Sequence, residues 1–371
     1  MKDIQTNEVA ELLKNSPLVG GSKKWVVTKL PNKYGLNPNI FYASNGKKEY
    51  FIKYINHPGK LTNTDNRLEK YLNLPTRELT LEKQGYTVEV SSYIKGTLFT
   101  DVFLKDEYKN NDITHINLED RKNKYLRNLY NQTKGVVRYA EVDSCITNKL
   151  YKNRFLGDRY SEYYRNMLFQ NIFDRNIVLN GRGYPSINTV VEKIRNKYEK
   201  INGNKDVTIV LGHGDAHHQN IILEETTSKI YFIDCEYSSF IPMSMELAKP
   251  YYIDLFGTLF FFYNDVLLKY FDVRKCEIID DKVNLRIILK ELPKLRLQLV
   301  QNKISNFSDL MADDTDQLNL NDYLIINHML SRNPNQYNAK VLPVFLSLVP
   351  LLNDFNVMKP EELFSAYQQE L

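Results

Sequence analysis

Strand-forming patterns crowd into the front of this 371-residue chain, and beyond residue 96 the patterning is mostly helical. Trp25-Val-Val-Thr-Lys-Leu30 is a β-branched run, Asn39-Ile-Phe-Tyr-Ala43 a second, and Glu49-Tyr-Phe-Ile-Lys-Tyr-Ile55 a third. Asn45-Gly46 falls between the last two, a dipeptide suited to a tight hairpin turn, so an antiparallel three-strand meander is expected. A short amphipathic helix over 7–15 precedes it. A helix over 65–73 follows, apolar at Leu68, Tyr71 and Leu72 and ended by Pro75. Tyr86–Ile94 reads as one more strand, broken by Lys95-Gly96. Later come a helix over 186–201, a buried strand at Val207–Leu211, and a hairpin joining 221–223 to 230–233. From 245 to the end the pattern reads as helix. These signals predict an α+β chain of two lobes: a small antiparallel β-rich lobe over 1–94 and a large, mostly helical lobe over 95–371.

Composition narrows the class. Hydrophobic residues make up 43% and charged residues 25%, the balance of a soluble globular protein. A net charge of +4 is too weak and dispersed for a nucleic-acid partner, and acids interrupt the Tyr- and Arg-rich stretch at Lys149–Arg175. Cys145, Cys235 and Cys276 lie far apart, which suits a reducing, cytoplasmic setting. The apolar runs Leu255–Tyr263 and Val341–Leu352 fall short of the ~20 residues needed to span a bilayer, so no membrane partner is expected. Oligomeric state stays open.

The chemistry concentrates in Leu211-Gly-His-Gly-Asp-Ala-His-His-Gln-Asn220 and Ile233-Asp-Cys-Glu236. Asp215 follows a buried strand on a loop, where a carboxylate can meet a substrate hydroxyl. Asn220 opens the next strand and Asp234 closes the one after it. If those strands form a hairpin, Asn220 and Asp234 lie at one end, where an amide oxygen and a carboxylate can share a magnesium ion. Singly, each would be a cap or a turn residue; together, at this spacing, they form a set for handling a nucleotide and its metal. Zinc is a poor alternative for His213, His217 and His218, because the adjacent His217 and His218 would point apart.

His213-Gly-Asp215, Asn220 and Ile233-Asp-x-Glu236 together resemble the aminoglycoside phosphotransferase and choline kinase family, whose members share a two-lobed protein-kinase-like fold. The resemblance implies ATP (or GTP) and Mg2+ as cofactors, with the nucleotide between the lobes. It implies Asp215 as catalytic base, Asn220 and Asp234 as metal ligands, and His213 as a structural orienter of the loop. Lys53 matches the lysine that holds the α- and β-phosphates. Its partner is expected to be Glu69, with Glu78 as the second candidate. Residues 31–39 are expected to be the turn over the phosphates, although with one glycine, Gly35, they depart from a Gly-rich loop. Ser92, Tyr93 and Ile94, within the hinge at 91–95, are expected to meet the base of the nucleotide. Glu236, Tyr237 and His218 are candidates for holding the acceptor, and Tyr251 and Tyr252 offer aromatic faces. Asp254 resembles the family's downstream loop-bracing aspartate.

The implied function is a small-molecule kinase transferring the γ-phosphate to a hydroxyl of an amino alcohol, sugar, nucleoside or aminoglycoside-like acceptor. A protein Ser/Thr kinase is the alternative, but DFG and APE-like segments are missing. A non-catalytic pseudokinase is the other, and the intact Lys53, Asp215, Asn220 and Asp234 argue against it.

Overall fold

The computed structural model describes residues 4–16, 24–31, 39–55, 66–83, 86–109, 115–142, 145–164, 171–312, 314–331 and 333–368. Two compact units result. One comprises Met1–Asn63, Leu72–Phe99 and Gln219–Glu236; the other comprises Thr64–Tyr71, Thr100–His218 and Tyr237–Leu371. The architecture is α+β, with an antiparallel sheet in the N-terminal region and a mostly helical C-terminal part.

The first unit is built on strands β1 (Val26–Lys29), β2 (Ile40–Ser44), β3 (Glu49–Ile55), β4 (Arg77–Lys83) and β5 (Tyr86–Ser92), in the order β1-β2-β3-β5-β4. The expected meander is present. Gly46 takes φ +81°, and the Asn45 side-chain oxygen accepts the N–H groups of Lys47 and Lys48 at 3.0 and 2.9 Å, closing the turn. Strand alternation sorts β3 into two faces. Tyr50, Ile52 and Tyr54 are buried with Phe41, Val88 and Val90 against Val9 and Leu13 of the helix Thr6–Lys14. Phe51 and Lys53 lie on the other face. Residues 221–224 and 230–232 form the predicted hairpin, with Ile221 opposite Phe232, and Gly96–Leu98 pairs along its edge. A Cβ on Gly96 would stand 2.3 Å from the Leu223 carbonyl oxygen, so only glycine lets this edge close. The expected phosphate-covering turn lies largely outside the described residues, since 32–38 are not among them.

The second unit centres on the buried strand Asp206–Gly212, paired antiparallel with both Ser239–Pro242 and Gly135–Arg138. Helices Ile116–Thr133, Ile187–Glu199, Met243–Tyr252, Lys294–Ala312, Leu320–Leu330 and Leu342–Asn353 are among its longer helices. Ser186 caps the second of these by accepting the Thr189 N–H at 3.1 Å.

Two expectations fail. The segment 65–73 is not a helix of several turns; only Asn66–Lys70 is helical, as a short 3₁₀ turn. The chain is also not helical from 245 to its end. Phe271–Ile279 and Lys282–Leu289 pair as an antiparallel hairpin. Its turn is Asp280-Asp281, at φ +47° and +60°, a left-handed pair that aspartate tolerates and hairpins need. Val283, Leu285 and Ile287 are buried in strict alternation, which is a strand period. Among the described residues, no helix is long and apolar enough to cross a membrane.

Ile52 is 0% exposed at the centre of the first sheet. Ile52→Ala should therefore cost about 2–5 kcal/mol, read as a lowered urea midpoint. A midpoint equal to wild type would show that this sheet is not part of a cooperative core.

Candidate functional site

In the first unit the side chain of Lys53 leaves β3 on the face away from the helix-covered core and meets two carboxylates. Its Nζ stands 2.5 Å from Asp234 Oδ1 and 3.2 Å from Glu236 Oε2. Lys53 is mostly buried, with its side chain 13% exposed. Burial disfavours its charge, but Asp234 and Glu236 outweigh that and hold the ammonium's pKa above its ordinary range. The hairpin at 221–232 delivers these acids. Its last rung is the Ile233 N–H donating to the Asn220 carbonyl at 3.0 Å, which sets Asn220 and Asp234 at one end. Asp234 itself takes φ +61°, a left-handed geometry that turns the chain sharply off the strand.

Glu69 is not the partner of Lys53. It is exposed on the Asn66–Lys70 turn, and the carboxylates at Lys53 come from the far end of the hairpin. Glu78 lies on β4. At the expected hinge, the Ser92 N–H donates to Thr76 O at 2.9 Å and the Tyr93 N–H donates to Glu49 O at 3.1 Å. The Tyr93 ring packs edge-on to Tyr42 at 4.8 Å. Two of the three main-chain donors proposed for a nucleotide base are therefore bound within the sheet.

The second unit holds Asp215 on the loop that follows the buried strand. Its Oδ1 is 2.9 Å from His217 Nε2 and 2.7 Å from Lys249 Nζ. Burial pushes this carboxyl up, yet His217 and Lys249 prevail and keep it far below the usual carboxylate range. Asp215 is thus held as an anion.

The Gly212-His-Gly214 sequence has a spatial reason. Glu246, buried on the helix Met243–Tyr252, accepts the N–H groups of His213 at 3.0 Å and Gly214 at 2.9 Å, and the hydroxyl of Tyr130 at 2.8 Å. A Cβ on Gly212 would come within 2.4 Å of Ile241 and 2.7 Å of the Glu246 carboxylate. Gly214 has φ +80°, and a Cβ there would stand 2.5 Å from Tyr237 O. Burial pushes the Glu246 carboxyl up to about 7, against the three hydrogen bonds it accepts. Glu246 therefore braces the start of the loop, a role additional to the bracing expected of Asp254. The run Met245-Glu-Leu-Ala248 carried the signal, an acid one step before Leu-Ala.

Asp254 has a different partner. It accepts the His218 N–H at 3.0 Å, and the His218 ring lies 2.6 Å from Glu119 and 3.3 Å from the Asp254 carboxylate. Lys122 reaches Glu119 at 2.8 Å, while Lys303 pairs with Glu119 and stands 3.0 Å from Asp254. Every member is buried. Burial drives His218 down to about 4 and Lys122 to about 8. Lys303 goes the other way: burial opposes its charge, but Glu119 and Asp254 raise its pKa. His218 is thus an interior group, not the acceptor-facing one expected, because two carboxylates draw its ring inward. Ligand atoms of Glu119, His218 and Asp254 lie within 4.8 Å of one another, but the two lysines supply the neutralising charge that a metal would otherwise bring. Tyr251 and Tyr252 are also interior, bonded to Val357 O and the His328 ring, both at 3.0 Å. Tyr237 lies under the Lys249 ammonium, with 5.6 Å from nitrogen to ring centre.

A family model described as Choline/ethanolamine kinase matches residues 146–257, the stretch that contains His213, Asp215, Asn220, Asp234 and Glu246. The resemblance read from the motif is borne out there. Among solved structures, the chain is similar to spectinomycin phosphotransferase APH(9)-Ia in complex with ADP and spectinomycin, at 15% identity over 99% of this chain and 94% of that one, TM-score 0.49. It is also similar to the Plasmodium vivax ethanolamine kinase, at 12% identity over 96% and 97% of the two chains, TM-score 0.45. No curated protein sequence matches the chain.

Two outcomes follow from the loop geometry. Gly214→Ala must place a side chain at positive φ against the Tyr237 backbone, so it should lose about 1–3 kcal/mol in thermal or urea melts. A wild-type melt would contradict the geometry. Glu246, raised from 4.5 to about 7, binds its proton more tightly folded than unfolded, so it subtracts stability as pH climbs across that window. The stability advantage of wild type over Glu246→Gln should therefore be greatest below about pH 4.5 and shrink by on the order of 3 kcal/mol by pH 8. A pH-independent difference would show that Glu246 ionises normally.

Proposed function

We propose that the protein is a small-molecule kinase of protein-kinase-like fold that transfers the γ-phosphate of ATP (or GTP) to a hydroxyl group of a small acceptor. One observation carries this reading. Lys53 and Asp234, separated by 181 positions, meet at 2.5 Å. The contact sets a cation suited to phosphate oxygens next to a carboxylate suited to their counter-ion.

Each side chain then has a role. Lys53 holds phosphate oxygens. Asn220 and Asp234 would hold Mg2+, which takes hard oxygen ligands; the amide and carboxylate brought to one hairpin end are such a pair. When bound, that ion screens the charge of the phosphates. Glu236 shares Lys53 with Asp234 and so sets the ammonium's direction. Main-chain groups at Ile94 are the choice for the nucleotide base, since the Ser92 and Tyr93 N–H groups already bond within the sheet.

Asp215 orients the acceptor hydroxyl and takes its proton. Paired with His217 and Lys249, it is a weak base, which suits a reaction in which the proton leaves late and rate comes from positioning and charge neutralisation. His213 contributes structure: it is 0% exposed and its ring nitrogen accepts the Asp215 N–H at 3.2 Å.

The test is an ADP-release assay with Mg2+ and a panel of sugars, nucleosides, amino alcohols and aminoglycosides. Asp215→Asn should lower kcat by about 10²–10⁴-fold at little cost in nucleotide affinity. Lys53→Met should instead weaken nucleotide binding. An Asp215→Asn protein that turns over like wild type would end the proposal.

A further inference from the structure

We infer that Lys249 makes the acceptor site selective against cations, so that the hydroxyl this protein phosphorylates belongs to an uncharged or anionic molecule and not to an amino alcohol. The inference rests on the reading of Asp215 as the group that receives the acceptor's proton. In that reaction the acceptor oxygen forms a new bond to the γ-phosphorus, the bond to the bridging oxygen breaks, ADP leaves, and the hydroxyl proton passes to Asp215.

The ammonium of Lys249 lies 2.7 Å from the carboxylate oxygen that the acceptor must approach. It is held there. The side chain is 12% exposed, it starts from the buried helix Met243–Tyr252, and its nitrogen sits over the Tyr237 ring at 5.6 Å. An acceptor hydroxyl that reaches Asp215 therefore arrives beside a fixed positive charge. In choline or ethanolamine the nitrogen is only two carbons from the hydroxyl, so the second cation would stand a few ångströms from the first, where repulsion is strong.

Binding such a cation requires aromatic faces or carboxylates. The residues best placed in sequence to supply them are otherwise engaged. Glu236 pairs with Lys53 at 3.2 Å. The Tyr237 face already carries Lys249. Tyr251 and Tyr252 are 4% and 1% exposed and lie in the helical core. A neutral acceptor meets no such obstacle, and for an anionic one the Lys249 ammonium offsets the Asp215 carboxylate. An ammonium has three N–H donors, and the contact with Asp215 uses one direction, so a neighbouring hydroxyl, carboxylate or phosphate on the acceptor can take another. The family model matched by residues 146–257 is described by two cationic alcohols, and the charge of Lys249 beside Asp215 argues against both as acceptors here.

The experiment compares kcat/KM at pH 7 for choline and ethanolamine against hexoses, nucleosides and sugar phosphates, in wild type, Lys249→Met and Lys249→Arg. Wild type should favour the best uncharged or anionic acceptor over either amino alcohol by at least about tenfold. Lys249→Met should narrow that ratio by about tenfold and Lys249→Arg should preserve it. Choline or ethanolamine as the best wild-type acceptor, or a ratio unmoved in Lys249→Met, would overturn the inference while leaving the phosphotransferase reading intact. That reading fails on a different result, wild-type turnover in Asp215→Asn.

Discussion

A single carboxylate underlies the shape of the Asp215 loop. Glu246 receives two consecutive backbone N–H groups and a tyrosine hydroxyl in a place where water cannot substitute. Buried main-chain donors without an acceptor are costly, so the turn after the strand at 206–212 can form in only one way. The two glycines flanking His213 are the sequence's response to this. One makes room for the acid and the other allows the left-handed turn. Asp215 follows directly, its position inherited from Glu246.

The other end of that loop is fixed by a different device. His218 is pinned by Asp254 and Glu119, and these are balanced by lysines from the helices at 116–133 and 294–312. Buried charges in a protein interior cost desolvation energy that packing of apolar groups would not, so such a cluster is a poor way to gain stability. It is a good way to define position, because each member tolerates few arrangements that leave every charge paired. Arg296 extends the same logic by bonding Glu107 twice at 2.8 Å and the Asp254 carbonyl at 2.7 Å. The reactive carboxylate thus stands between a hydrogen-bonded brace and an ionic one.

Much of this is legible in the sequence itself. Asn45-Gly46 specified a turn, alternation in Glu49–Ile55 specified a strand with Lys53 set apart, and the hairpin at 221–232 followed from two short apolar runs. These are local signals, in which neighbouring residues contain the whole reason. The failures share the opposite property. Which acid meets Lys53 depends on where a hairpin some 180 positions away comes to rest, and a helical period at 65–73 could not report that. Glu246 and Asp254 sit eight positions apart in one helical stretch, and only the fold decides which end of the Asp215 loop each of them holds. The hairpin at 271–289 was hidden because its turn is Asp-Asp without glycine, between segments with charges on the outward strand positions. The burial of His218, a candidate for holding the acceptor, comes from acids on two other elements, which its own neighbours in sequence do not report.

The first compact unit is not a continuous stretch of chain, since it includes Gln219–Glu236 as well as its N-terminal segments. During synthesis from the N-terminus, the opening hundred residues therefore emerge as an incomplete body. The edge strand at Gly96–Leu98 waits for residues 221–224, and Lys53 waits for Asp234, until more than half the protein has been made. Expression of the sheet region as a separate fragment would leave that edge unpaired and that ammonium without its carboxylates. Long-range closure of this kind slows folding, and until residues 221–224 arrive the edge at Gly96–Leu98 stays open to other pairings.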